Sequence, residues 1–294
     1  MADRMSNIQP EKLFSYKGCN LSSIHTIERL DQMENYDVRD SDVFVVTYPK
    51  SGTIWMQNIM KYIYMEGDLQ TGECNASYFE VPWLEIAHKE INTDDRPSPR
   101  LFVTHLPYQL IPKALKNKKT KVIYVYRNPK DVAVSFYHFH KFANYLETPE
   151  NFGAFLQTFL NGQVDYGSWF DHIKSWYNHR YEFNILFQSY EEMIKDLRMA
   201  VLKFINFLGR SLDNKSIDII VERATFKNMK TDPKSNYESA GFPYFDNSVA
   251  GFMRKGIVGD WKHHFTVAEN EMFDRIFQEK MKDFPLKYIW EIGD

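Results

Sequence analysis

The stretch from Val43 to Trp55 constrains the fold more than any other part of the chain. Val43-Phe44-Val45-Val46-Thr47 is a β-branched and aromatic run that reads as a buried strand, and it ends in Tyr48-Pro49-Lys50-Ser51-Gly52. Trp55, Ile59, Tyr62 and Ile63 then recur at helical spacing, with Gly67 past the end of the helix they predict. Strand, tight loop and helix in that order aim several backbone N–H groups and a helix N-terminus at one anion. Gly52 lets the backbone approach closely, Lys50 brings a cation, and Ser51 and Thr53 bring hydroxyl donors. The nucleotide-triphosphate loop has a different spacing, with a first glycine that is absent here and a lysine after the second. The loop alone fits a phosphate- or sulfate-binding turn and an ordinary turn with a solvated lysine equally well.

Length and composition bound the rest. At 294 residues the chain can bury a large core, and residues 1–294 read as a single domain without repeats or linkers. A net charge of −3 gives no general attraction to nucleic acid, so anion binding must come from a local cluster. Cys19 and Cys74 form neither a disulfide framework nor a metal site. The stretch from Met1 to Lys17 is polar and lacks an apolar signal core, and no apolar run is long enough to span a bilayer. A cytoplasmic, soluble protein with no nucleic-acid or membrane partner is expected.

Three further strands follow: Leu101 to Thr104 ending at His105, Lys121 to Tyr126 ending at Arg127-Asn128-Pro129, and Phe183 to Phe187 before Tyr190. Helices are expected over Ser22 to Arg29, from about Lys130 through Val132, Ser135, Phe136 and Phe139, and from Thr148-Pro149 to near Gly162. Others are expected over Ser168 to His179, from Tyr190 unbroken to about Leu208, over Asp213 to Arg223, and over Val267 to Met281. Asp68 to Pro99 and Thr231 to Gly259 read as irregular. Strands alternating with helices predict an α/β fold, a mainly parallel sheet with helices on both faces.

Ligands of such sheets bind beyond the carboxyl ends of the strands. Lys50-Ser51, His105, Arg127 and Tyr190 all fall there. Each alone has an ordinary explanation: a hydrogen-bonded core histidine, a solvated turn arginine, and, for Arg254-Lys255, a charged loop. Their convergence on one sheet edge makes those explanations jointly weaker. The strand ends offer no carboxylate for the Mg²⁺ that nucleotide-triphosphate chemistry uses. Cations and hydroxyls without such a carboxylate suit a sulfuryl group, which carries less charge than a terminal phosphoryl.

Four segments resemble those of cytosolic sulfotransferases, in order over nearly the whole chain. They are Thr47 to Trp55, Thr104-His105-Leu106-Pro107, Tyr126 to Asp131, and Arg254 to Lys262. Phe159 to Val164, Ala224 to Met229 and Lys282 to Trp290 resemble the amine sulfotransferase branch within that family. The resemblance implies 3′-phosphoadenosine 5′-phosphosulfate (PAPS) as donor, adenosine 3′,5′-bisphosphate as product, a P-loop-like phosphosulfate loop and no required metal. It assigns Lys50, Ser51, Gly52, Thr53, Ile54 and Trp55 to the 5′-phosphosulfate, with Trp55 against the adenine. Arg127, Ser135, Arg254, Lys255 and Gly256, preceded by Phe252 and Met253, fall to the 3′-phosphate, and Tyr190, Thr225, Phe226 and Met229 to the adenosine. His105 matches the base, Lys50 the residue that stabilises the leaving oxygen, and Ser135 a third catalytic position. A homodimer through Lys262 to Glu271 is also implied.

The chain departs from the family pattern at Val103, where many relatives carry lysine, and at Ala224, where a hydroxyl is common. The first predicts a lower rate and the second one lost hydrogen bond. The acceptor positions are Trp83, Val103, Thr104, His105, Tyr137, Phe139, Tyr237 and Tyr244, an aromatic box that also fits an ordinary core. Such a box admits amines, phenols and steroids. Ala143 stands where amine-selective phenol relatives carry a carboxylate, which favours a neutral amine acceptor. Phenol or steroid O-sulfonation, a nucleotide-dependent phosphotransferase and a non-catalytic small-molecule binder stay open.

Overall fold

A computed structural model describes residues 12–65, 74–87, 91–116, 119–246 and 251–292. Gly67, expected to end a helix, lies outside them. The described chain opens with a hairpin of β1 (Leu13–Tyr16) and β2 (Cys19–Ser22). Its two turn residues, Lys17 and Gly18, both take positive φ (46° and 81°), the turn geometry that matches strand twist. The hairpin uses Ser22, so the helix expected over Ser22 to Arg29 starts later, as α1 (Ile27–Met33), with Thr26 Oγ1 accepting from Arg29 N–H at 3.2 Å.

In chain order the chain then forms β3 (Val43–Thr47), α2 (Thr53–Tyr64), α3 (Ser77–Glu80), β4 (Leu101–Thr104), β5 (Lys121–Tyr126), α4 (Pro129–Phe142), α5 (Phe152–Leu160) and α6 (Trp169–Asn178). After them come β6 (Asn184–Ser189), α7 (Tyr190–Lys195), α8 (Leu197–Leu208), α9 (Asn214–Arg223), α10 (Phe226–Thr231) and α11 (Val267–Lys280). The central sheet has the order β4-β3-β5-β6, with every pair parallel.

Alternation along the strands supplies both faces. Phe44, Val46, Phe102, Val122 and Tyr124 pack with α4, α5 and α6, around the buried Trp169 and Trp176. Val43, Val45, Val103, Ile123 and Val125 pack with α2, α8 and α9. Both faces are apolar because both are covered, as parallel sheets require.

Further helix boundaries differ from expectation. The helix expected to run unbroken from Tyr190 splits at Asp196, whose Oδ1 caps α8 by accepting from Met199 N–H at 2.9 Å. The apolar period continues across the break, so periodicity does not reveal it. Asn151, not Thr148-Pro149, caps α5 by accepting from Ala154 N–H at 2.9 Å. The short α10, capped by Thr225, was not expected. Trp83 forms an isolated parallel bridge to Val103, so the irregular stretch is tied to the outer edge of β4.

Candidate active site

A cavity of about 850 Å³ opens beyond the carboxyl ends of the strands. Its first wall is the turn after β3. Lys50 and Gly52 both take positive φ (69° and 104°), and a Cβ on Gly52 would lie 2.9 Å from the Tyr190 ring. Gly52 is the N-cap of α2 and no side chain caps that helix, so its first N–H groups are free for an anion. Ser51 Oγ is buried without a partner.

Lys50 Nζ sits 3.9 Å from the Phe139 ring centroid. Burial, then the charges of Arg127 and Arg254, lower its pKa to about 7. Arg127 donates to the carbonyls of Lys50 (3.0 Å) and Ile257 (3.2 Å) and lies 4.4 Å over the Tyr190 ring, leaving its Nε–H unpartnered. Three cations thus crowd one end of the cavity.

The loop carrying Arg254 is organised by Asp260. Its carboxylate pairs with Arg254 (2.6 Å), Lys255 (2.6 Å) and His264 (3.4 Å). Burial alone would raise Asp260, but the hydrogen bonds and charges of Lys255 and Arg254 hold it at about 2. Gly256 has φ of 66°, and a Cβ there would come within 2.2 Å of the Phe226 ring. Asp131 fixes the same loop by accepting from Gly259 N–H (2.8 Å) and Trp261 N–H (3.0 Å).

At the end of β4, His105 Nδ1 lies 2.6 Å from the Thr47 carbonyl. A carbonyl can only accept, so Nδ1 carries the proton and Nε2 keeps its lone pair. Burial lowers the imidazole pKa to about 3, and the charges of His172, Lys50 and His25 act the same way, so the ring is neutral near pH 7. The backbone behind it is tied down at three points. Glu85 accepts from His105 N–H (2.9 Å), His172 Nε2 donates to the His105 carbonyl (3.0 Å), and Trp176 Nε1 donates to the Leu106 carbonyl (3.1 Å).

Residues 40–285 match the family description of a sulfotransferase domain. The chain belongs to the sulfotransferase family. It is 48% identical over 289 residues to the amine sulfotransferase of rabbit (Oryctolagus cuniculus), covering 96% of this chain and 95% of that one. Identity to sulfotransferase 1A1 of cattle (Bos taurus) is 41% over 270 residues, covering 90% and 92%. The crystal structure of mouse sulfotransferase SULT7A1 complexed with PAP superposes with a TM-score of 0.77 at 34% identity, over 92% of this chain and 95% of that one.

The sulfotransferase brings nearly all of the expected donor positions to one cavity, Ser135, Thr225, Phe226 and Met229 included. Ser51 is the exception, with its side chain fully buried beneath the loop. Trp55 Nε1 donates to the Ala224 carbonyl at 2.8 Å, a backbone contact that the missing hydroxyl does not affect.

Of the acceptor positions, Trp83, His105, Phe139, Tyr237 and Tyr244 line the cavity, and three do not. Val103 points into the sheet core on the α2 side, fully buried. Thr104 is also buried, its Oγ1 accepting from Leu106 N–H at 3.0 Å. Tyr137 is buried away from the cavity, against Phe152 and Phe155. The helical period rotates it away from its neighbours Phe136 and Phe139.

The sulfotransferase also holds a carboxyl group in this wall that sequence reasoning missed. Asp165 is 3% exposed, lines the cavity, and accepts from Ser22 N–H and Ser22 Oγ–H, both at 2.8 Å. Its only signal was an acid alone among Val164, Tyr166 and Gly167. Ala143 is buried and bridges to Phe245. Among the described residues, no group of His, Cys, Asp or Glu is arranged to hold a metal, and no helix is long and apolar enough to cross a membrane.

Proposed function

We propose that this sulfotransferase transfers the sulfuryl group of PAPS to the nitrogen of a small, largely hydrophobic amine, with phenols and steroid alcohols as lesser acceptors. The observation that carries this reading is one cavity with the free Nε2 of His105 on one wall and the uncompensated Lys50 on another. The residues present fit the donor. Arg127 Nε and Arg254 Nε are buried without partners, the first turn of α2 is uncapped, and side chains are excluded at Gly52 and Gly256.

When bound, the donor supplies the sulfuryl group and a phosphate leaving group. Lys50 answers the charge that develops on the leaving oxygen, and the anion beside it raises its pKa back toward the ordinary range. His105 takes the acceptor's proton at Nε2 while Thr47 holds the ring by Nδ1. Arg127, Ser135, Arg254, Lys255 and Gly256 hold the 3′-phosphate, which would share the cations now paired with Asp260. Trp55, Tyr190, Thr225, Phe226 and Met229 hold the adenosine. The aromatic walls around Trp83 and Tyr237 desolvate the acceptor, and the likeness to the rabbit amine sulfotransferase favours nitrogen over oxygen.

A cytosolic homodimer through residues Lys262 to Glu271 is part of this reading. Val267 is 76% exposed there, although Phe265 tucks against Phe152. The test is transfer of labelled sulfate from PAPS to a panel of amines, phenols and steroids, with and without a chelator. Transfer to amines that survives chelation is expected. Transfer only from a nucleotide triphosphate with Mg²⁺ would overturn the proposal.

A further inference from the structure

N-sulfonation poses a proton-counting problem that O-sulfonation does not. A phenol loses one proton on the way to its sulfate ester. An alkylamine arrives as an ammonium ion and ends as a sulfamate, so it must lose two. His105 can take only one, because its Nδ1 already donates to the Thr47 carbonyl. An amine that binds as its ammonium ion therefore needs a second proton acceptor within the same cavity.

We infer that Asp165 is that acceptor, taking the ammonium proton of an alkylamine before His105 takes the last one. The inference rests on the amine reading proposed above. Asp165 is the carboxyl group in the cavity wall, and each of its oxygens accepts one hydrogen bond from Ser22 and keeps a lone pair. The next residue, Tyr166, holds a positive φ of 64° and sets its ring between His25 (5.1 Å) and His105 (5.0 Å). The carboxyl is thus one residue along the chain from a ring that touches the base.

Among the described residues, no permanent cation holds this carboxylate. The nearest basic nitrogen, His25 Nε2, lies 4.0 Å away, and burial lowers that imidazole to about 4, so it is neutral near pH 7. The other titratable groups around Asp165 are Glu85, Tyr166, Tyr145, Tyr48 and Cys19, all of them anionic or neutral. Burial first, and the charge of Glu85 with it, raises Asp165 to about 7. A carboxylate in that range accepts a proton from an ammonium group that the apolar walls have desolvated.

The two steps balance. An N–H bond of the ammonium breaks and an O–H bond forms on Asp165, leaving the electron pair on nitrogen. That nitrogen then forms the N–S bond as the S–O bond to the leaving phosphate breaks, its electron pair staying on the phosphate oxygen. The remaining acidic N–H proton passes to His105 Nε2.

The test uses matched acceptors: 2-naphthylmethylamine, cationic at pH 7; 2-naphthylamine, neutral; and 2-naphthol. Asp165→Asn is expected to lower kcat/KM for the first by about 10²-fold and to leave the other two within about threefold. The residual alkylamine rate should climb about tenfold per pH unit as free amine accumulates. Adenosine 3′,5′-bisphosphate binding reports folding. Should Asp165→Asn fail to fold, Ser22→Ala removes one hydrogen bond from the charged form. It should move the acid limb of the alkylamine profile to higher pH and leave the naphthol profile unchanged. Equal losses on all three acceptors, no loss on the alkylamine, or an unmoved limb would overturn the inference alone. A wild-type enzyme that sulfonates 2-naphthol but neither amine would overturn the amine reading itself.

Discussion

The two ends of the cavity treat charge in opposite ways. At the proposed donor end Lys50, Arg127 and Arg254 are brought together, with Arg127 Nε and Arg254 Nε left unpaired. At the proposed acceptor end, burial drives each ionisable group toward neutrality: His105 and His25 downward, Glu85 and Asp165 upward. The donor end stores a demand for a polyanion, and the acceptor end stores a demand for neutral, apolar matter. One cavity can therefore hold a highly charged reactant against an uncharged one and tell them apart.

Substitutions that remove one end's contribution should separate the two. The largest loss is expected from His105→Ala, about 10²- to 10⁴-fold in kcat with adenosine 3′,5′-bisphosphate binding kept, measured by turnover and calorimetry. Equal activity toward a neutral phenol would break the assignment of the base. Lys50→Met should cost about 10²- to 10³-fold in kcat and much less in donor affinity. Wild-type turnover with weakened affinity would reduce Lys50 to a binding group.

Arg127→Ala and Arg254→Ala should each weaken binding of the 3′-phosphorylated nucleotide by about 1.5–3 kcal/mol, and spare the nucleotide lacking that phosphate. A like loss for both nucleotides would mean that the arginines act through folding. Arg254→Ala also frees Asp260 from one partner, so it is the harsher of the pair.

A pH measurement sharpens the same contrast. Lys50 is lowered to about 7 in the free protein, and a bound anion favours its charged form. Above pH 7, nucleotide binding should therefore take up a proton and weaken as pH rises. Calorimetry in buffers of different ionisation enthalpy reads the uptake, and Lys50→Met should abolish it. The smallest catalytic effect is expected from Val267→Glu, remote from both ends. It should sediment as a monomer at micromolar concentration with donor binding intact, and a persisting dimer would move the contact to another surface.

The donor end was the legible end, for a physical reason. An anion site needs glycines where a Cβ would collide, a cation at a strand end and a helix start, and these lie close together in sequence. Gly52 meets that demand, and so does Lys50 with its unusual φ. The parallel direction of the strands followed equally from short apolar runs divided by helices, whereas their order did not.

The acceptor end is assembled from side chains far apart in sequence whose direction depends on tertiary packing. Tyr137 and Phe139 are near neighbours on α4, yet only Phe139 reaches the cavity. Asp165 was invisible as a site residue because its partner Ser22 sits 143 positions away in an unexpected hairpin. The break at Asp196 escaped for the converse reason: the helical period persisted where the backbone turned.

The anchors of His105 bear on how enzymes of this shape could diversify. Thr47, Glu85, His172 and Trp176 hold His105, the proposed base, from behind, and none of them lines the cavity. Walls proposed to meet the acceptor, among them Tyr237, Tyr244 and Phe245, belong to another segment. Changes in those walls can remodel the clientele of the enzyme while the proton-transfer apparatus keeps its alignment. Selection can then explore new acceptors by mutation in front of the imidazole, with no compensating change required behind it.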